Sequence, residues 1–352
     1  MNDNSYLAGI ICEQLDSGSA LVLASIVGLL GSAPQHRGAK MVVGANGKSY
    51  GTIGGSILEA TVIKEAGNVL GGGQSRMQEF AMNNTDVETP GMICGGTAVV
   101  LLDYIRATRA SVEFFRHWRD AVLNGKEFYF LTHVRGAGGT VDIVGHSILF
   151  ADGNLIGDRL PAKEDIENVK AELKNISSTM VLSAGDARIV VDPIRRMGTL
   201  YCFGAGHVAM PTAHIAALAG FRVIVLDDRA EYANAGRFPE AHAICVIEDY
   251  NQAFAGLEID VDSFIVILTR GHQHDLVVLE QALRTGAGYI GMISSKKKRK
   301  LIYEAIMARG IKKEELERVH SPIGISIGGK TPEEIAVSIV AELIKERAGK
   351  YS

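Results

Sequence analysis

Several stretches of this sequence gather residues that could bind or activate something. Gly204-Ala205-Gly206-His207-Val208-Ala209 has the G-x-G-x-x-A spacing of a phosphate-approaching turn. There the first glycine permits a tight turn, the second lets backbone near a phosphate, and the small last residue allows close packing. Asp227 and Asp228 follow where a ribose-binding carboxylate would stand. Thr269-Arg270-Gly271-His272-Gln273-His274-Asp275 reads as a polar, ligand-facing loop; His272 and His274, two residues apart, are a poor chelating pair unaided. A capping Asp275 with solvated histidines is the plainer alternative. Ser294-Ser295 followed by Lys296-Lys297-Lys298-Arg299-Lys300 sets five cations at the start of a helix, against its dipole. A phosphate held by Ser295 and Lys296 would account for them, and a solvated face would too. Cys94-Gly95-Gly96, after Thr89-Pro90, reads as a thiol on an exposed loop, although a cysteine taken alone is more often a buried small hydrophobe. Cys12 falls in an amino-terminal segment that reads as an amphipathic helix, and Cys202 and Cys245 fall in two expected strands and read as core.

These motifs need elements to hold them. From Thr199 onward the pattern alternates strand, glycine turn and helix, as in a parallel α/β sheet. Strands are expected at Leu200–Phe203, Arg222–Leu226, Ala243–Ile247, Phe264–Leu268 and Gly288–Ile290, with helices at Val208–Ala219 and Leu276–Arg284. Thr331, Pro332 and Glu334 mark the start of a last helix. The first half is less regular and predicts a mixed α+β domain. It has strands at Leu21–Leu29, Lys40–Val43, Ser49–Ile53 and Thr97–Tyr104, and helices at Glu59–Leu70, Ser111–Leu123 and Lys163–Lys174. Further strands are expected at Glu127–His133, Ser147–Phe150 and around Met180 and Ile189. The change of pattern at Arg195-Arg196 sets the expected boundary: 1–196 glycine-rich α+β, 197–352 Rossmann-like.

Composition narrows the function classes. Hydrophobic residues make up 47% of 352, enough to bury a core. A net charge of −4 argues against general nucleic-acid binding. Glycine is in excess at 40 residues while proline numbers 8, so the excess serves turns and close approaches rather than a linker. Four scattered cysteines form no disulfide framework and no iron–sulfur spacing. The apolar run Ala20–Leu30 is too short to span a membrane, and no basic residue precedes Arg37 as in a secretory leader. A cytoplasmic protein is expected.

Taken in order, the motifs resemble the XdhC/CoxI family over nearly the whole chain. The amino-terminal module is carried by Gly31-Ser32-Ala33-Pro34 with Gly38 and Met41, Gly51-Thr52-Ile53-Gly54-Gly55 with Leu58-Glu59, and Cys94-Gly95-Gly96. The carboxyl-terminal module is carried by Gly204 to Val208, Asp227-Asp228-Arg229, Arg237-Phe238-Pro239, Thr269 to His272 with Asp275, Tyr289-Ile290-Gly291-Met292-Ile293 and Thr331 to Ala336. The stretch 110–195 is the least diagnostic. The sequence departs from the family at Gln35, a place often basic, and at Ser56 and Ser294, where glycine is common. The resemblance implies an accessory factor, a carrier that needs no turnover chemistry. Such a factor binds molybdenum cofactor, protects it and promotes its insertion into a xanthine dehydrogenase-type molybdenum hydroxylase. The cofactor would be molybdopterin or its nucleotide form. Its phosphates would use the turn at Gly204, Gly206 and His207 with Ser295 and Lys296 as helpers, Asp227 and Asp228 would stand at the ribose of a nucleotide form, and Arg270 and His272 would also line the cofactor. The glycine loops at 31–38 and 51–55, the latter with Gly54 and Gly55, would close over the pterin; Gly95 and Gly96 would also bind the cofactor, and Cys94 would contact molybdenum. An NAD(P)-dependent oxidoreductase and a nucleotide-responsive adaptor are the alternatives, and homodimerisation is left open.

Overall fold

The computed structural model describes residues 3–30, 36–81, 96–136, 139–157, 162–173, 176, 178–184 and 187–350. The chain divides into two compact units, Asp3–Arg196 and Met197 onward.

The first unit holds two five-stranded antiparallel sheets. One is built from β1 (Leu21–Leu30), β2 (Lys40–Gly44), β3 (Ser49–Gly51), β4 (Arg76–Ala81) and β5 (Thr97–Ile105), in the order β3-β2-β1-β5-β4. The other is built from β6 (Phe128–Arg135), β7 (Asp142–Phe150), β8 (Leu155–Gly157), β9 (Met180–Ala184) and β10 (Ala187–Ile194), in the order β8-β7-β6-β10-β9. β1 lies between β2 and β5 and is covered on both sides, which explains its long, mostly apolar run. Val22, Ala24 and Ile26 meet Val62, Ala66 and Val69 of helix α2 (Ser56–Gly72). Leu21 and Leu23 face the other way. They join Phe128, Phe130 and Ile148 of the second sheet, with Leu7 and Ile11 of α1 (Asp3–Asp16) and Phe114, Phe115 and Trp118 of α3 (Arg109–Leu123). The far face of the second sheet is covered by Ile166 and Val169 of α4 (Lys163–Glu172).

The second unit is a six-stranded parallel sheet. Its strands are β11 (Thr199–Phe203), β12 (Arg222–Asp227), β13 (Ala243–Val246), β14 (Ser263–Ile267), β15 (Tyr289–Met292) and β16 (Val319–His320), in the order β13-β12-β11-β14-β15-β16. This is the doubly wound order in which the chain leaves β11 first to one side and then to the other. Ala209, Ala213 and Ala216 of α5 (Ala209–Leu218) pack on one face with Ile339, Val340 and Leu343 of α9 (Pro332–Gly349). Val278, Leu279 and Ala282 of α6 (His272–Leu283) cover the other face, with Ile302 and Ile306 of α7 (Lys296–Ala308). A single turn, α8 (Lys313–Leu316), leads into β16.

The expected fold class is therefore present, with local differences. β4 is a half-buried edge strand with no clean alternation, and β16 is two residues long; neither gives a periodic signal. Cys202 is buried on β11, whereas Cys245, on the edge strand β13, is only half-buried.

Candidate functional site

The crevice at a switch point of a parallel sheet is where ligands enter such folds, and here it is formed by the carboxyl ends of β11, β12, β14 and β15. Gly204 turns the chain out of β11 with φ of 106°. A Cβ there would lie 2.6 Å from the Leu268 carbonyl carbon and 2.9 Å from the Thr269 nitrogen. Glycine is therefore demanded by the neighbouring strand end. Gly206 is different: a Cβ there would meet nothing within 4 Å. The Ala205 N–H donates to Asp227 Oδ2 at 2.8 Å. Among the described residues the amides of Gly206, His207 and Val208 find no acceptor, and α5 begins immediately after them. Three free donors at the positive end of a helix fit an anionic group such as a phosphate. His207 is exposed beside them.

Asp227 does not face a ligand as expected. Its side chain is 1% exposed, and both oxygens are engaged within the unit. Oδ2 accepts from Ala205 N and Arg229 Nη2, while Oδ1 accepts from Arg229 N at 3.0 Å and Nε at 2.9 Å. Burial pushes this carboxyl's pKa up, but the Arg229 guanidinium and the Ala205 amide outweigh it and hold it below the usual range. Asp227 braces the glycine turn from beneath. Asp228 is the carboxylate of the pair that reaches the surface, where its Oδ2 accepts from Arg270 Nη2 at 2.7 Å. Two arginines not expected at the site also shape this edge. Arg229 lies 3.8 Å over the Tyr232 ring, and Arg237 Nη2 donates to the Ala205 carbonyl at 3.2 Å.

The stretch after β14 is shorter as a loop than expected, because α6 starts at His272. His272 is exposed on that first turn, and His274 packs against Tyr250 with ring centroids 4.6 Å apart. Asp275 does not cap the helix. It is wholly buried, accepts from the Thr269 hydroxyl at 2.5 Å and pairs with Lys298 of α7. Burial raises its pKa, opposed by Lys298 and Thr269. Sequence reasoning missed this link because Lys298 stood within a run of like charges.

The basic run is narrower than five free cations. Ser295 is the N-cap of α7 and accepts from Lys298 N at 3.2 Å. Lys298 is tied to Asp275, Arg299 donates to the Ser321 carbonyl, and Lys300 lies 3.9 Å from Glu304. Lys296 and Lys297 are left exposed and unpaired among the described residues.

In the first unit the turn at 51–55 closes on itself. Thr52 donates its hydroxyl to Glu59 Oε2 at 2.8 Å, and Gly55 N–H donates to the same oxygen at 3.0 Å. Gly54 N–H donates to Thr52 Oγ1 at 3.2 Å. The amides expected to close over a ligand at Gly54 and Gly55 are instead taken up by Thr52 and Glu59 just ahead of α2. Cys94 and Gly95 lie outside the described residues, and Gly96 is buried just before β5. Of the other thiols, Cys12 is buried, and burial pushes Cys202 up to about 12, so neither is poised as a thiolate. Among the described residues no three His, Cys, Asp or Glu side chains gather to hold a metal ion, and no helix is long and apolar enough to cross a membrane.

Known proteins match over the same regions. The XdhC Rossmann domain model matches residues 200–343, and the XdhC and CoxI family model matches 14–81. A Bacillus subtilis (strain 168) protein, named as a probable subunit of xanthine dehydrogenase, is 27% identical over 339 residues, 95% of each chain. The Escherichia coli (strain K12) molybdenum cofactor insertion chaperone PaoD is 22% identical over 349 residues, 98% of this chain and 89% of that one. A crystal structure described as a xanthine dehydrogenase from Bacillus halodurans superposes with a TM-score of 0.81 at 24% identity, covering 99% of this chain and 96% of that one. Both modules in their order, on the same fold, make this chain a member of the XdhC and CoxI family.

Proposed function

We propose that this chain is an accessory factor that binds molybdenum cofactor as cargo, protects it, and promotes its insertion into a xanthine dehydrogenase-type hydroxylase. Membership of the family and the similarity to a molybdenum cofactor insertion chaperone support this reading. The observation that carries it is the set of free amides at Gly206, His207 and Val208 ahead of α5. A phosphorylated pterin or its nucleotide form offers an anion to such donors. Lys296 and Lys297 add exposed positive charge after β15, and Asp228 and Arg270 line the neighbouring loops. None of these groups moves a proton or hydride in this scheme. Binding, shielding and release suffice for a carrier.

Cys94 is assigned the contact to molybdenum, because a soft thiolate suits that metal. The protein purified from a cofactor-producing host should carry the pterin by native mass spectrometry and molybdenum by elemental analysis. Cys94→Ser should lose about tenfold or more of that molybdenum while its melting curve stays close to wild type; one lost charge-assisted contact has about that size. Full retention in Cys94→Ser would make the thiol a bystander. Sustained oxidation of xanthine with NAD by the pure chain would replace the carrier with an oxidoreductase.

A further inference from the structure

The facing sides of the two sheets in the first unit are apolar at both ends. Leu21, Leu23 and Phe130 fill one end, and Val27, Leu101, Val134 and Val190 fill the other. Between them lies a buried polar layer. Lys40 of β2 pairs with Asp192 of β10, and Thr179, just before β9, donates its hydroxyl to the same carboxylate. A small cavity opens beside them, lined also by Ser25, Asp103 and Thr132. All three members of the cluster are buried.

A buried ion pair is a poor device for stability, since apolar residues of similar volume serve as well or better. What this one does is hold a particular piece of backbone. Lys40 Nζ also donates to the Gly38 carbonyl at 3.0 Å. Gly38 has φ of 92°, and a Cβ there would lie 2.5 Å from Thr179 Oγ1 and 3.1 Å from Asp192 Oδ1. Its own N–H donates to the Ile26 carbonyl at 2.8 Å. Gly38 closes the glycine-, serine- and proline-rich stretch that begins at Gly31, and it is seated directly on the cluster.

We propose that Lys40, Thr179 and Asp192 are positioning residues that fix the backbone at Gly38, and through it present His36 and Arg37 for cofactor retention. This rests on the carrier reading. It adds to the functional machinery two residues, Thr179 and Asp192, from the part of the chain that neither family model matches. His36 and Arg37 are exposed, cationic or polar groups of the kind that meets an anionic cofactor.

The test is the double variant Lys40→Met/Asp192→Leu in the full chain, since a single change would strand a buried charge and unfold the unit. Three quantities are read: melting temperature, deuterium exchange at the Gly38 and Ala39 amides, and molybdenum per chain after expression in a cofactor-producing host. The expected result is a near-native melting temperature, exchange at those amides faster by about tenfold or more, and molybdenum lower by about tenfold. Thr179→Val should act the same way more weakly, and Thr179→Ser, which keeps the hydroxyl, should restore both readouts. Unchanged exchange in the double variant overturns the proposal. Faster exchange with wild-type molybdenum content overturns the functional part of it. Wild-type protein without molybdenum would count against the carrier reading instead, while the exchange measurement still judges the clamp.

Discussion

Two glycine turns, 51–55 and 204–206, read alike in the sequence and differ in what their amides do. In the first, Glu59 and Thr52 reach back to Gly55 and Gly54, so those two donors are satisfied within the turn ahead of α2. In the second, Asp227 takes the Ala205 amide, and the next three stay open ahead of α5. Glycine reports that backbone must bend or approach closely. Whether an amide is spare depends on nearby acceptors. The acid placed four residues after Gly55 is the local sign of a closed turn. The turn whose strong acid lies more than twenty residues on keeps donors for a ligand.

The largest effect that would break this contrast is at Gly204. Gly204→Val should destabilise the second unit by about 3 kcal/mol or more, since a side chain there meets the Leu268 carbonyl and needs positive φ. A thermal melt near wild type would show that close approach does not select this glycine.

Gly206→Val comes next, and its effect should fall on binding. A Cβ at Gly206 meets open space, so stability should stay within about 0.5 kcal/mol. Affinity for a phosphorylated pterin or nucleotide should fall by about tenfold, the size of one hydrogen-bonded anion contact. Calorimetry showing unchanged affinity would remove the ligand from this turn and leave only the fold.

The smallest effect sharpens the other side. Glu59→Ala removes the acceptor for Thr52 and Gly55, and should cost about 1 kcal/mol of stability in denaturant titration. Cofactor retention per folded molecule should not change. A fall in retention without a fall in stability would give the 51–55 turn a ligand after all.

The parallel strands of the second unit were legible because both faces are covered, and their apolar runs are cut by glycine turns. The start of α9 was equally plain: Thr331 accepts from Glu334 N, and Glu334 reaches back to Thr331 N at 3.1 Å. The inward turn of Asp227 was not legible, because its partner Arg229 is what covers it. The first turn of α6 was hidden because Gly271, with no side chain to cap, precedes it. Lys40, Thr179 and Asp192 are farthest from legible. Two lie on strands and Thr179 just before one, brought together only by the packing of two sheets, and nothing in the sequence around them announces a shared site.

That polar layer also bears on how the chain avoids folding wrongly. β10 is paired with β6 so that Asp192 stands opposite Phe130, on the side where Lys40 waits. Sliding β10 by one residue would send Asp192 to the face covered by α4 and bring Val191 against Lys40. Two interior charges would then stand without partners, at a penalty of about 3–5 kcal/mol. Asp103 and His146, hydrogen-bonded at 2.7 Å across the same sheets, would lose that bond on a slip of β7. Apolar residues alone would tolerate several alignments of ten strands, whereas these charges discriminate against misregistered competitors before the native state is reached.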